Sequence, residues 1–461
     1  MVLNGENLAE NKQKLIKLLM LTVLPLLFLI IFNLANLYVI LAIFFLFFGY
    51  LFLRNYLWLF LILALPALAF GQFINFPVAA NWVYEASLSE ILIIGAAMLF
   101  FIDKFINGRL SRIKTNSLLF LLFIYLMLSV ISYYHIIDFR LYIFGLKLIA
   151  FSFLAYFLSL NLIDEKPKII ALVYGLAALT LILAGQLFIK FYQIGWSSKF
   201  FFARNLITIP LGPIALAAAI LVLILPIILG FYFYSDNSNQ AKPFLFLIFL
   251  TGALALFLTL GKAAIASLAL GLFYLFIKLK NKRVVFILAL AIFMILSFVF
   301  FNSFFSGLYE RLGNIFIDVN SEFRILEYKT GWKLISDNFW LGAGAGQQLY
   351  YFKKMLNFET AQLVNNFFLQ ALIDLGLAGL ILAFFMLIKI IKQAVGLAGK
   401  IKNNNLIIYY GFIAALLAGL ANGLVEVTFF ALSYGIIFWA IVGALYNLDK
   451  YEKISSHNNQ L

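Results

Sequence analysis

The sequence predicts an all-α fold: a polytopic integral membrane helix bundle of about 12–14 crossings, counted at roughly 20 apolar residues per crossing, with one large extracytoplasmic helical loop. Three observations carry that prediction. Hydrophobic residues make up 65% of the 461 and charged residues only 11%, where soluble domains carry about 25% charge. Apolar runs near spanning length follow one another, punctuated by short polar breaks. One long polar stretch, 301–364, interrupts them. On this reading residues 1–461 form a single membrane domain, and 301–364 is an extracytoplasmic loop inserted within it.

In chain order the candidate spans fall at 15–32, 37–53, 56–74, 90–102, 117–134, 141–160, 169–189, 206–234, 244–260, 263–277, 284–304, 363–388, 406–424 and 428–446. The first follows a polar start with Lys12, Lys14 and Lys17 and has no small-residue cleavage site, so it is expected to stay attached. The pair 244–260 and 263–277 is short and broken by Gly261-Lys262, which reads as a helical hairpin with its tip there. Cations resist translocation and collect on the cytoplasmic side. With the N-terminus inside, the inner loops gain Arg54, Lys104, Arg109, Arg112, Lys114, Lys166, Lys168, Lys242, the cluster Lys278/Lys280/Lys282/Arg283, Lys389, Lys392, Lys400, Lys402, Lys450 and Lys453. Roughly 21 cations then lie inside against about 6 outside, the long loop being exempt by its length. Both termini are therefore expected in the cytoplasm and 301–364 outside, as in a multi-pass protein of a bacterial inner membrane.

Within the loop, Ser321 to Asn338 reads as an amphipathic helix, with Ile325, Tyr328, Trp332 and Ile335 at helical spacing and Glu322, Arg324, Glu327, Lys329 and Lys333 on other faces. Asn320 or Ser321 can cap it. The glycine-rich run Trp340-Leu-Gly342-Ala-Gly344-Ala-Gly346 follows. Glycines of this kind let backbone amides approach a ligand closely or form a tight turn. A dinucleotide site is excluded because no strand precedes the run.

The net charge of +14 would suit a polyanion, but membrane topology and anionic headgroups account for most of it, so no nucleic-acid partner is expected. The chain has no cysteine and only two histidines, His135 and His457. Thiol chemistry and polyhistidine metal sites are thereby excluded, and no carboxylate cluster suggests a metal, so neither metal nor cofactor is expected. The sequence shows no repeat with paired interrupted helices, which counts against a transporter built from inverted halves.

Several polar residues stand where a plain span would not need them. Lys262 at the hairpin tip either snorkels to the interface or meets an anion. Arg324 can pair with Glu327 three residues on, or clamp a phosphate bidentately. Arg140 and Arg204 stand at the outer ends of other spans and could join the same cluster. Asn365 and Asn366 lie at a helix start, where they can cap the helix or help the free N–H groups favour an anion. Asp374 lies about two and a half turns into that span, as counted at 3.6 residues per turn, and needs a partner: a cation such as Lys262, or a backbone group. Gly376 and Gly379 beside it suit close helix packing.

Three motifs together resemble the O-antigen ligase and polymerase family. Gly261-Lys262-Ala is similar to the family's Ser-Arg-Gly hairpin tip, with lysine for arginine. Arg324, Trp332 and Leu341-Gly342-Ala-Gly344 resemble its Arg…Trp…Gly-x-Gly loop. Asn365-Asn366-x-x-Leu369…Asp374-x-Gly376-x-x-Gly379 resembles its His-Asn-x-x-Leu…Glu-x-Gly-x-x-Gly stretch, with asparagine for the ligase histidine. The resemblance spans about residues 200–445 and implies a metal-independent membrane glycosyltransferase at the outer face. Its partners would be a polyprenyl-diphosphate-linked glycan donor, a glycan acceptor and membrane lipids. Arg324, Lys262 and Asn365 would be catalytic, while Asn366, Arg204, Arg140, Trp332 and Asp374 would bind substrate. Loop carboxylates such as Glu322 or Glu327 are candidates for the proton. A neutral amide cannot act as a base, so Asn365 points to a polymerase rather than a ligase. The rival reading is a lipid-linked oligosaccharide flippase.

Overall fold

The computed structural model describes residues 54–79, 82–194, 207–234, 241–279, 319–356, 363–400, 406–426, 428–429 and 431–458. The expected spans 15–32, 37–53 and 284–304 lie outside them, as does Arg204. The described helices are α1 Leu57–Ala67, α2 Leu88–Ile106, α3 Ser117–Ile131, α4 Phe139–Leu162, α5 Lys166–Ile194, α6 Ile214–Tyr232, α7 Ala241–Leu258, α8 Lys262–Lys278, α9 Val319–Asp337, α10 Gln348–Leu356, α11 Phe367–Lys400, α12 Leu406–Gly423 and α13 Leu432–Asn458. The architecture is all-α. Among the described residues six stretches are long and apolar enough to cross a membrane: Ser117–His135, Phe139–Leu162, Lys166–Ile194, Ile214–Tyr232, Ala241–Leu258 and Phe367–Gly396. The chain is a multi-pass membrane protein.

Two expected spans begin or end differently. The run 56–74 supports a helix only to Ala67, because the chain turns at Gly71, whose φ of 70° is a left-handed value that glycine adopts without steric cost. Strands β1 Gln72–Ala79 and β2 Trp82–Ser87 then form an antiparallel hairpin. Their backbone groups are paired with each other instead of within a helix. The run 206–234 becomes helical only at Ile214, since Thr208–Ile209 and Gly212–Pro213 pair as a small turn through Pro210 and Gly212. The turn expected within 244–277 is present between α7 and α8, but the two helices pack on α6 and α8 also on α12 rather than closely on each other. The turn is held by Thr259, whose hydroxyl donates to the Leu256 carbonyl and accepts from the Gly261 N–H.

Helix α6 is the centre of the bundle, with 89% of its spanning window buried, as its apolar sequence on every face requires. Glycines set its closest neighbour: a Cβ on Gly230 would stand 2.7 Å from the Gly411 Cα of α12, so the two backbones touch as small residues allow. Helices α4 and α13 are joined by polar bonds that lipid cannot replace. Ser159 donates to the Ala440 carbonyl at 2.7 Å, and Asn447 donates to the carbonyls of Ser159, Leu160 and Ile163. Helix α2 opens with a capping box, in which Ser87 and Glu90 bond each other's backbone N–H. Glu90 also meets Lys147 of α4 at 2.8 Å, both side chains being buried.

Helix α9 is fixed to the bundle by the glycine-rich run. Helix α11 is interrupted at Gly376, with φ 64° and ψ −161°, and the run 339–346 fills the break. Leu377 N–H donates to the Phe339 carbonyl at 2.8 Å, Ala343 N–H to Ile373 at 2.7 Å and Gly344 N–H to Asp374 at 3.0 Å. Beyond it, Ala345 N–H donates to the Ser132 hydroxyl. Gln347 clamps the α3–α4 turn by accepting from Ile137 and Asp138 and donating to the Asp138 carbonyl. Leu334, Ile335, Phe352, Val364, Leu372 and Ile373 form a small core beneath.

The buried face of α9 is not the one its apolar pattern predicts. Glu327, Thr330, Leu334 and Ile335 are buried, whereas Ile325 and Trp332 are 55% and 66% exposed. The carboxyl of Glu327 is drawn inward by its bond to Asn365, so the apolar spacing alone does not select the inward face.

Candidate functional site

The polar residues that close on one another lie where α9, the start of α11 and the α12–α13 turn meet. Asn366 caps α11: its Oδ1 accepts from the N–H groups of Phe368 and Leu369 at 3.0 and 3.1 Å. Its Nδ2 donates to the Leu424 carbonyl at 3.1 Å. Both ends of this amide are engaged in structure, so of the two roles open to Asn366 the structure displays the cap.

Asn365 faces the other way. Its Nδ2 donates to Glu327 Oε2 at 2.7 Å, and its carbonyl accepts from the Tyr328 hydroxyl at 3.3 Å. Glu327 is 2% exposed. Burial pushes its carboxyl up to about 6, against the Asn365 bond and the nearby Arg324 charge, which pull it down, and with a smaller upward push from Glu426. Such a group is largely ionised at neutral pH yet basic enough to take a proton.

Arg324 is one turn earlier on α9. Its expected local ion pair with Glu327 is not the one formed: a guanidinium Nη2 meets Glu426 Oε1 at 2.9 Å, across 102 residues of sequence. Glu327 instead turns beneath the helix toward Asn365, which leaves the guanidinium to the α12–α13 turn. The two side chains of the Arg324–Glu426 pair are 38% and 27% exposed, so solvent reaches both. Glu426 was missed in the sequence reading. Its signal was a single carboxylate in the short break between two apolar runs.

The other candidate residues stand elsewhere on the fold. Asp374 is buried, and its Oδ1 has no hydrogen-bond partner among the described residues while the Gly346 N–H lies against its carboxyl group, so the backbone of the glycine run meets only part of its need. Most amides of that run are bonded within the protein, which makes the run a fastening rather than a cradle. Lys262 is half-buried at the first position of α8, and Arg140 is exposed in the first turn of α4. Trp332 projects from the exposed side of α9. Among the described residues no group of three or more His, Asp or Glu is placed to hold a metal ion.

Below the site an apolar cavity of about 110 Å³ runs between α3, α4, α11, α12 and α13. Leu122, Met386, Phe438 and Trp439 line it, and Phe367 and Phe429 close it at the end next to Asn366. Those two rings pack with centroids 5.0 Å apart.

Fold and site together define a multi-pass membrane protein whose polar centre is set at one end of its spanning helices, next to an apolar hollow. Residues 246–384 match the family model described as O-Antigen ligase, a stretch that runs from α7 to the first half of α11 and includes Lys262, Arg324, Asn365 and Asp374. Over that stretch, less than a third of the chain, the protein is similar to the O-antigen ligase family. Comparison with curated proteins gives no match.

Proposed function

We propose that the protein polymerises polyprenyl-diphosphate-linked glycan units at the outer face of a bacterial inner membrane, with both termini in the cytoplasm and 301–364 outside. The observation that carries this reading is the Asn365–Glu327 contact. A ligase would bring a histidine to this position; here the amide donates to a buried carboxylate that can itself receive the proton. Glu327 takes the proton from the acceptor hydroxyl as that oxygen attacks the anomeric carbon. Arg324, helped by Lys262 and by Arg204 or Arg140, neutralises the diphosphate that departs, and no metal is required. Charge developing on the leaving group in a site of low dielectric is where a fixed cation lowers the barrier most. The apolar cavity beside Phe367 and Phe429 supports a lipid-borne donor, because its walls suit a stretch of hydrocarbon chain near the site.

The test is glycan transfer in membrane vesicles supplied with a lipid-diphosphate donor. Glu327→Gln keeps the shape and the Asn365 contact but removes the base, and it is expected to lower kcat by about 100-fold or more, as loss of general-base catalysis does. Arg324→Ala is expected to leave unpolymerised units on the outer leaflet. Wild-type transfer by Glu327→Gln would remove that residue from the chemistry, and accumulation on the inner leaflet would make the protein a flippase.

A further inference from the structure

Arg324, assigned above to the diphosphate, is already engaged by an anion of the protein's own. The bond to Glu426 is not needed to seat α9. That helix is held by the Asn365–Glu327 bond, by the core around Leu334 and Ile373, and by the glycine run docked at Gly376. The turn bearing Glu426 is likewise held without Arg324, through Asn366 to the Leu424 carbonyl and through Val425 and Thr428 N–H groups to the carbonyls of Asn422 and Glu426. Each partner is positioned by its own neighbours. The pair between them is half-exposed, and ion pairs of that kind contribute little to stability. A phosphate offers the guanidinium fork two parallel bonds, and bidentate charge-assisted bonds are stronger than one.

We infer that Glu426 is a positioning residue that occupies Arg324 until the donor arrives. It holds the guanidinium at the mouth of the site and yields it to the donor's diphosphate, so binding exchanges one ion pair for another and leaves the Glu426 carboxylate to solvent. This rests on Arg324 being the diphosphate ligand. The exchange makes ground-state binding weaker than an unpaired arginine would allow, and keeps the guanidinium aimed for the step in which charge develops.

The experiment uses the full chain in nanodiscs of phosphatidylcholine, where no anionic headgroup competes, with inorganic diphosphate as probe and calorimetry as readout. Glu426→Gln is expected to bind diphosphate about tenfold tighter than wild type, and in the transfer assay to lower KM and kcat together. Arg324→Gln is expected to lose binding. If Arg324→Gln loses binding while Glu426→Gln binds no more tightly than wild type, Glu426 is only a brace and the inference fails while the role of Arg324 stands. If Arg324→Gln binds like wild type, both fail. Should Glu426→Gln not fold, Glu426→Asp draws the charge back by one methylene and is expected to tighten binding by a smaller factor; an unchanged affinity there also overturns the exchange.

Discussion

At the scale of single residues, the site turns on how a buried carboxylate is tuned. Glu327 has its carboxyl raised to about 6 chiefly by burial, with the Asn365 bond opposing the rise. As the proposed base it would work only when ionised, so transfer is expected to fall as the pH drops through about 6. Asn365→Ala removes an interaction that favours the ionised form, and the acid limb should therefore move to higher pH. A pH–rate profile of the two proteins checks both statements. A profile flat across pH 5–7, or one moved to lower pH by the substitution, would contradict them. Asn365 and Arg324 could be singled out from their places in the sequence. Their partners were not, because Arg324 had an acid at a favourable helical spacing and took another 102 residues away. Local spacing states which pairs are possible; the packing of three separate segments decides which form.

At the scale of elements, the joint between the glycine run and the break in α11 governs where α9 stands. Gly376 has a backbone conformation foreign to other residues, and a Cβ there would collide with the Trp340 carbonyl. Gly376→Ala is expected to cost about 1–3 kcal/mol in backbone strain alone, and to lower both the thermal midpoint and transfer as α9 is displaced. Thermal unfolding in detergent together with the transfer assay measures this. The turn within 241–278 was legible because Gly261-Lys262 interrupts an apolar run at a length that only a turn explains. The β-hairpin after α1 was not legible, since its residues are as apolar as a span and only backbone geometry separates the two. The inward face of α9 was misread for a different reason. Hydrophobic periodicity takes no account of the Asn365–Glu327 bond, which turns a carboxylate inward.

At the scale of the whole molecule, the bundle relies on polar contacts that the membrane cannot supply. The Lys147–Glu90 pair joins α4 to α2, with side chains 7% and 1% exposed. Removing one member leaves the other buried without its counter-charge, which typically costs about 3–5 kcal/mol. Lys147→Met is therefore expected to destabilise strongly, while Lys147→Met with Glu90→Gln recovers much of the loss. Unfolding of the two variants in the same detergent decides the matter; equal stability would mean that the pair has no part in holding α2. The multi-pass architecture was legible from apolar run lengths. The pairing of its helices was not, because α6 with α12 and α4 with α13 are matched by glycines, a serine and an asparagine scattered through runs that otherwise look alike.

The fastening of residues 339–346 into the gap at Gly376 also bears on attempts to redesign the protein. The loop donates to carbonyls that exist only because the helix is broken, and the helix tolerates its break only because the loop occupies it. Neither half is a portable part. A chimera that imports a foreign α9 segment to change the sugar it handles must bring the matching stretch of α11 with it, or the graft will have nothing to anchor to.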